Sequence, residues 1–125
     1  MVNNVKAAIL GSTGYVGIEL VKLLLSHPHV SINFLGSENF ENKEISDFNP
    51  SFKKFKLPLI DLNKNFDYSK SDVVFSALPH GISNSYIKKF INKIKIIDLS
   101  ADFRLNNIES YKQSYDNNHS CPEFL

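Results

Sequence analysis

Three glycines spaced three apart, Gly11, Gly14 and Gly17, stand between a short apolar run and an apolar helical pattern. The run is Val5-Lys6-Ala7-Ala8-Ile9-Leu10, broken only by Lys6, as expected of a strand buried on both faces of a parallel sheet. After the glycines, Val16, Leu20, Leu23 and Leu24 recur at helical spacing between Tyr15 and Ser26. Glu19 is expected in the first turn and Lys22 later, in agreement with the helix dipole. Pro28 forbids continuation. Ser31 to Gly36 then supplies a second strand and completes a βαβ unit of about 30 residues. A strand leading into a glycine turn, followed by a helix whose first N–H groups are unpaired, is what a dinucleotide pyrophosphate needs.

The glycine spacing is not the G-x-G-x-x-G fingerprint, because Ser12 stands where the first glycine of that pattern would fall. A tight structural turn that packs helix on sheet is the competing explanation. Under either, Gly17 serves packing. Gly11 and Gly14 are expected to let the backbone approach phosphate, with Ser12 and Thr13 adding hydroxyl donors.

The remaining chain alternates in the same manner. Residues 38–56 are polar and read as an irregular excursion, and Leu57 to Leu62 as a short strand weakened by Pro58. Val73 to Ala77 predicts a buried strand, Ser83 to Ile91 a helix, Lys95 to Leu99 a strand, and Ile108 to Tyr115 a helix. Alternating strands and helices imply a Rossmann-like, doubly wound α/β fold with a mostly parallel sheet. Ligands of such sheets lie beyond the carboxyl ends of the strands. The ends here are Gly11–Gly17, Gly36–Glu38, Ala77–Gly81 and Ser100–Arg104, where small and polar residues gather.

With 125 residues the chain fits one domain, 1–125. A formal net charge of +1 creates no field drawing it to nucleic acid or an anionic membrane, and its lysines are expected on solvated faces. No apolar stretch approaches the roughly 20 residues of a membrane span, and no signal-peptide pattern opens the sequence. Cys121 is the only cysteine, which excludes an internal disulfide and fits a reducing, cytoplasmic setting. The last residues, Cys121-Pro122-Glu123-Phe124-Leu125, read as an interrupted chain rather than a finished one.

Each strand end carries a candidate group. About 20 positions after the glycines an NAD site has an acidic residue for the ribose 2′-hydroxyl. Here Ser37 is followed by Glu38: the hydroxyl tolerates a 2′-phosphate and leans towards NADP, whereas the carboxylate repels it and no arginine is near. Leu78-Pro79-His80-Gly81 forms a rigid turn suited to the nicotinamide ribose, with His80 a structural residue of that turn. Arg104 is placed either to clamp a carboxylate or phosphate bidentately or to pair with Asp98 or Asp102. Ser100, at a strand tip, faces ligand. Cys121 lacks a turn glycine or helix start to lower its pKa, so it reads as an incidental thiol.

Three segments carry a resemblance. Leu10-Gly11-Ser12-Thr13-Gly14-Tyr15-Val16-Gly17-Ile18-Glu19-Leu20, Ala77-Leu78-Pro79-His80-Gly81 and Ile97-Asp98-Leu99-Ser100-Ala101-Asp102-Phe103-Arg104-Leu105 resemble the N-acetyl-gamma-glutamyl-phosphate reductases of the semialdehyde dehydrogenase superfamily. The likeness runs through the whole chain, including Tyr111, Tyr115, His119 and Pro122-Glu123. It implies an NADPH-dependent reduction of an acyl phosphate to an aldehyde, in arginine biosynthesis. It assigns Gly11, Ser12, Thr13, Gly14, Tyr15, Val16 and Gly17 to the pyrophosphate and Ser37 to the 2′-phosphate neighbourhood. Ala77, Leu78 and Pro79 fall on the nicotinamide side, and Ser100 and Arg104 border the cleft that takes the small acyl-phosphate substrate.

Two departures accompany it. Glu38 and Asn42 stand where the family has an arginine and a glycine. The family's nucleophilic cysteine lies in a Gly-Cys-Tyr-type segment that falls beyond Leu125, as do its general-base histidine and α+β domain. The chain is therefore expected to be the cofactor-binding part of such a homo-oligomeric enzyme, inactive alone. The competing expectations are an aminoadipyl-phosphate reductase, an aspartate-semialdehyde dehydrogenase, or a non-catalytic NADP-binding module.

Overall fold

The computed structural model describes residues 4–79 and 82–99. Its elements follow in the order β1 (Val5–Leu10), α1 (Tyr15–Leu25), β2 (Val30–Ser37), β3 (Ile60–Leu62), β4 (Val73–Ser76), α2 (Ser83–Phe90) and β5 (Lys95–Asp98). The strands form one parallel sheet of five, in the spatial order β3-β2-β1-β4-β5. The chain thus builds outward from β1 through β2 to β3, then returns to the other side of β1 and continues through β4 to β5. Strand order reverses at β1, the point where such sheets open a crevice at their carboxyl ends. The doubly wound parallel arrangement expected from the sequence is the one observed.

The unbroken apolar character of β1 follows from its place at that reversal. Ala7 and Ile9 pack into one cluster with Leu20, Val21 and Leu24 of α1, together with Leu35 and Ile60. Ala8 and Leu10 point the other way, into a cluster with Val74, Leu78, Ile87 and Phe90. All four β1 residues are fully buried. Alternation along a strand normally separates a wet face from a dry one; here both faces are dry because each carries a helix.

Element bounds shift where hydrogen bonding dictates. α1 ends at Leu25, and Ser26 closes it with its hydroxyl donating to the Leu23 carbonyl at 2.8 Å. The strand expected over 57–62 contracts to Ile60–Leu62, since Pro58 has no N–H to give a ladder. β3 is an edge strand, and the loop before it covers that edge. Ile60 N–H donates to the Lys43 carbonyl at 2.8 Å, and Asn42 N–H donates to the Ile60 carbonyl at 2.7 Å. The polar excursion contains two 3-10 turns, Ile45–Asp47 and Pro50–Lys54, which bury Ile45 and Phe52 against the α1 side of the sheet. Lys53, Lys54, Lys56, Lys88, Lys89, Lys93 and Lys95 are exposed, the solvated faces anticipated for them. The helix expected over 108–115 lies outside the described residues.

Leu35 sits at the centre of β2 with no exposed surface, whereas Leu23 on α1 is 67% exposed. Leu35→Ala is expected to lower the unfolding free energy by about 2–5 kcal/mol. Leu23→Ala is expected to stay within about 0.5 kcal/mol of the parent. Urea denaturation measures both; equal effects would contradict the core assignment.

Candidate functional site

Because the strands are parallel, the ends of β1, β2, β4 and β5 meet at one edge, and the glycine turn crosses it. Gly11 adopts φ +73°, and a Cβ there would lie 2.7 Å from the Ala77 carbonyl oxygen. Only glycine lets β1 turn this tightly beside the end of β4. A Cβ on Gly17 would collide with the Gly11 carbonyl oxygen and stand 2.7 Å from Ser12 Cα, so Gly17 seats α1 on the turn, the packing role expected of it. Gly14 differs from both. Its φ of −78° and ψ of 174° suit any residue, and a Cβ would meet only the Gly11 carbonyl oxygen, at an ordinary 3.6 Å. Among the described residues nothing requires glycine at position 14; the space it leaves faces outward.

The backbone donors around that space divide cleanly. Gly11 N–H donates to Asn63 Oδ1 at 3.1 Å, and Ser12 N–H to the Gly36 carbonyl at 2.7 Å. Gly14 N–H turns back to the Gly11 carbonyl at 3.3 Å. Among the described residues, the N–H groups of Thr13, Tyr15, Val16 and Gly17 have no hydrogen-bond partner, those of the first three lying at the exposed start of α1. α1 carries no side-chain cap at Gly14 and no acid in its first turn: because the helix starts at Tyr15, Glu19 falls past the first turn in which the sequence placed it. The positive end of its dipole and its orphan donors therefore stay open beside exposed Tyr15 and Val16.

Some sequence expectations change at the level of side chains. Ser12 is fully buried and its hydroxyl donates to the Gly36 carbonyl at 2.9 Å, so it clasps the turn to β2 instead of reaching phosphate. Ser37 is 2% exposed. Its Oγ accepts from the N–H groups of Asn39 and Phe40, each at 3.3 Å, and lies 3.3 Å from Thr13 Oγ1. That hydroxyl shapes the loop after β2 and joins it to the glycine turn; it does not present itself to a ligand. Leu78 is buried in the α2 cluster, so its side chain is core, while Pro79 stands exposed at the edge. Ala77 N–H extends the β1–β4 ladder to the Leu10 carbonyl at 2.9 Å. His80, Gly81, Ser100, Arg104 and Cys121 lie outside the described residues.

Sequence reasoning missed Asn63. It is 1% exposed, immediately after β3, and both ends of its amide are engaged. Oδ1 accepts from Gly11 N–H, and Nδ2 donates to Glu38 Oε1 at 3.0 Å. On the α2 side, burial first and then the nearby Glu38 carboxylate raise the Tyr86 phenol pKa above its usual value. A buried amide at a strand end within a polar stretch was the available signal. A second buried link joins β4, α2 and β5: Ser76 Oγ lies 2.8 Å from Ser83 Oγ, which donates to Asp98 Oδ1 at 3.1 Å. Among the described residues no group of three His, Cys, Asp or Glu side chains could hold a metal ion, and no helix is long and apolar enough to cross a membrane.

Gly14 and Gly17 should separate in stability measurements. Gly17→Ala forces backbone against backbone and is expected to destabilise by about 1–3 kcal/mol. Gly14→Ala is expected to leave the melting temperature within a few degrees. Thermal unfolding followed by circular dichroism checks both, and equal losses would contradict the distinction.

The site's likeness to known proteins agrees with its geometry. The semialdehyde dehydrogenase NAD binding domain matches residues 6–122. An N-acetyl-gamma-glutamyl-phosphate reductase of Clostridium botulinum is 47% identical over 120 residues, 95% of this chain and 35% of that protein. Proteins of the same name from Ehrlichia ruminantium and Acinetobacter baylyi are 45% and 42% identical, each over 97% of this chain and 35% of theirs. The chain thus spans about a third of the length of these curated relatives. The crystal structure of aspartate semialdehyde dehydrogenase with NADP from Candida albicans shares the fold, with a TM-score of 0.68 at 24% identity, over 85% of this chain and 32% of that one. The reversal at β1, the open start of α1 and the match over residues 6–122 lead to one conclusion: the chain belongs to the semialdehyde dehydrogenase NAD-binding domain family.

Proposed function

We propose that this chain is the dinucleotide-binding part of an N-acetyl-gamma-glutamyl-phosphate reductase. The observation that carries the proposal is the set of unpartnered N–H groups of Thr13, Tyr15 and Val16 around the gap at Gly14. A pyrophosphate is the ligand whose charge and oxygen count match those donors and the dipole behind them. Gly11, fixed by Asn63 and by its contact with Ala77, holds the turn so that the donors converge. Pro79, exposed at the end of β4, stands where the nicotinamide half would lie.

The reaction follows from the relatives' name and the resemblance. N-acetyl-gamma-glutamyl phosphate is reduced to N-acetylglutamate 5-semialdehyde with release of phosphate. The bound reduced nicotinamide supplies the hydride, and the resemblance implies NADPH as its source. Ser100 and Arg104 follow β5 in sequence, and the same resemblance puts them beside the acyl-phosphate substrate. The nucleophilic cysteine of that chemistry is not Cys121, so turnover needs residues outside this chain. The parent enzyme is read as a cytoplasmic homo-oligomer that binds neither nucleic acid nor membrane. Relatives at 42–47% identity carry this name, which favours it over the aspartate enzymes that share only the fold.

Titration of the 125-residue chain with reduced dinucleotide, followed by nicotinamide fluorescence, should give saturable binding. Gly14→Val fills the gap and is expected to weaken binding by at least about tenfold, or 1.4 kcal/mol, with the melting temperature nearly unchanged. Undiminished binding in that variant would contradict the phosphate site, as would reduction of the acyl phosphate by the isolated chain that is lost on Cys121→Ala.

A further inference from the structure

We infer that Glu38 relaxes the site's demand for a 2′-phosphate, so that this chain binds NADH at least as tightly as NADPH. The inference rests on the dinucleotide site proposed above and concerns the adenosine end of it. In sheets of this kind the adenosine ribose lies over the end of the second strand, where an acidic side chain about 20 residues after the glycines accepts from the 2′-hydroxyl. Glu38 directly follows Ser37, the last residue of β2.

Three observations make this carboxylate the group the ribose would meet. First, it is held at the glycine turn: Glu38 Oε1 receives Asn63 Nδ2 at 3.0 Å, and the other end of the same amide receives Gly11 N–H. Tyr86 of α2 lies near it. Second, those neighbours are neutral. Among the described residues the one ion pair is Lys22 with Glu19 on α1, so no described lysine or arginine pairs with this carboxylate. A carboxylate has about four acceptor positions, and the Asn63 donor leaves room for a ribose hydroxyl. Third, Ser37, the hydroxyl that would have welcomed a phosphate, is 2% exposed and occupied by Asn39, Phe40 and Thr13.

A 2′-phosphate brings about 1.5 to 2 negative charges and only acceptor oxygens. Against Glu38 it meets like charge, and among the described residues no lysine or arginine is paired with that carboxylate to offset it. A 2′-hydroxyl, by contrast, donates to the same oxygen. Asn63 is then a positioning residue: it ties the aim of the carboxylate to the register of the phosphate turn.

The test is the ratio of dissociation constants for NADH and NADPH with the 125-residue chain, read by nicotinamide fluorescence. The expected result is NADH equal to or tighter than NADPH. Glu38→Gln, an exposed isosteric change, should tighten NADPH and weaken NADH, each by about two- to fivefold. Glu38→Arg should move the ratio further in the same direction. NADPH binding at least tenfold tighter than NADH in the parent chain, or a ratio that neither variant moves, overturns the inference while leaving the dinucleotide site intact. Failure of both dinucleotides to bind overturns that site and, with it, the inference.

Discussion

The turn at Gly11 runs so close to the end of β4 that a single Cβ would stand 2.7 Å from the Ala77 carbonyl oxygen. Much else depends on that approach. It brings β1 and β4 to one edge, the place where strand order reverses, and it fixes where α1 must begin. Gly17 completes the contact by letting the helix start rest on the turn's own backbone. With the backbone immobilised on both sides, the donors left over are not distributed at random. They are the N–H groups that follow the turn, gathered around Gly14.

The core on either side holds this edge in place. Ala7 and Ile9 anchor β1 to α1, and Ala8 and Leu10 anchor it to the α2 side, so neither helix can slide without disturbing the strand between them. Close packing transmits such shifts directly. Polar clasps then work at the rim: Ser12 to β2, Thr13 to Ser37, Asn63 to Gly11 and Glu38, and Ser83 to Asp98. Each ties elements together at the rim; the Ser12 clasp is buried and the others are partly so, where a satisfied hydrogen bond helps to specify geometry.

The architecture was legible in the sequence because periodicity reports it: an unbroken apolar β1, a 3.6-residue repeat in α1, and strands and helices in alternation. The role of Gly17 and the importance of the strand ends were legible for the same reason. Side-chain direction was not. Ser12 and Ser37 occur at positions that suggest a ligand, yet both hydroxyls turn inward because the buried carbonyl and N–H groups beside them needed partners. Leu78 was assigned to the cofactor by its motif and belongs by its contacts to the core. Asn63 left almost no trace, since its partners are 52 and 25 positions away in the chain. Glu38 was visible as a departure from the family pattern, but its aim depends on Asn63 and so on the fold.

We propose the open start of α1 as the dinucleotide pyrophosphate site. Amide chemical-shift mapping on the 15N-labelled chain with added NADH tests it most directly. The account predicts that the Thr13, Tyr15 and Val16 amides move most, while the Gly11 and Ser12 amides, already bonded inside the protein, move less. Saturable binding whose largest shifts fall away from residues 13–16 would contradict it.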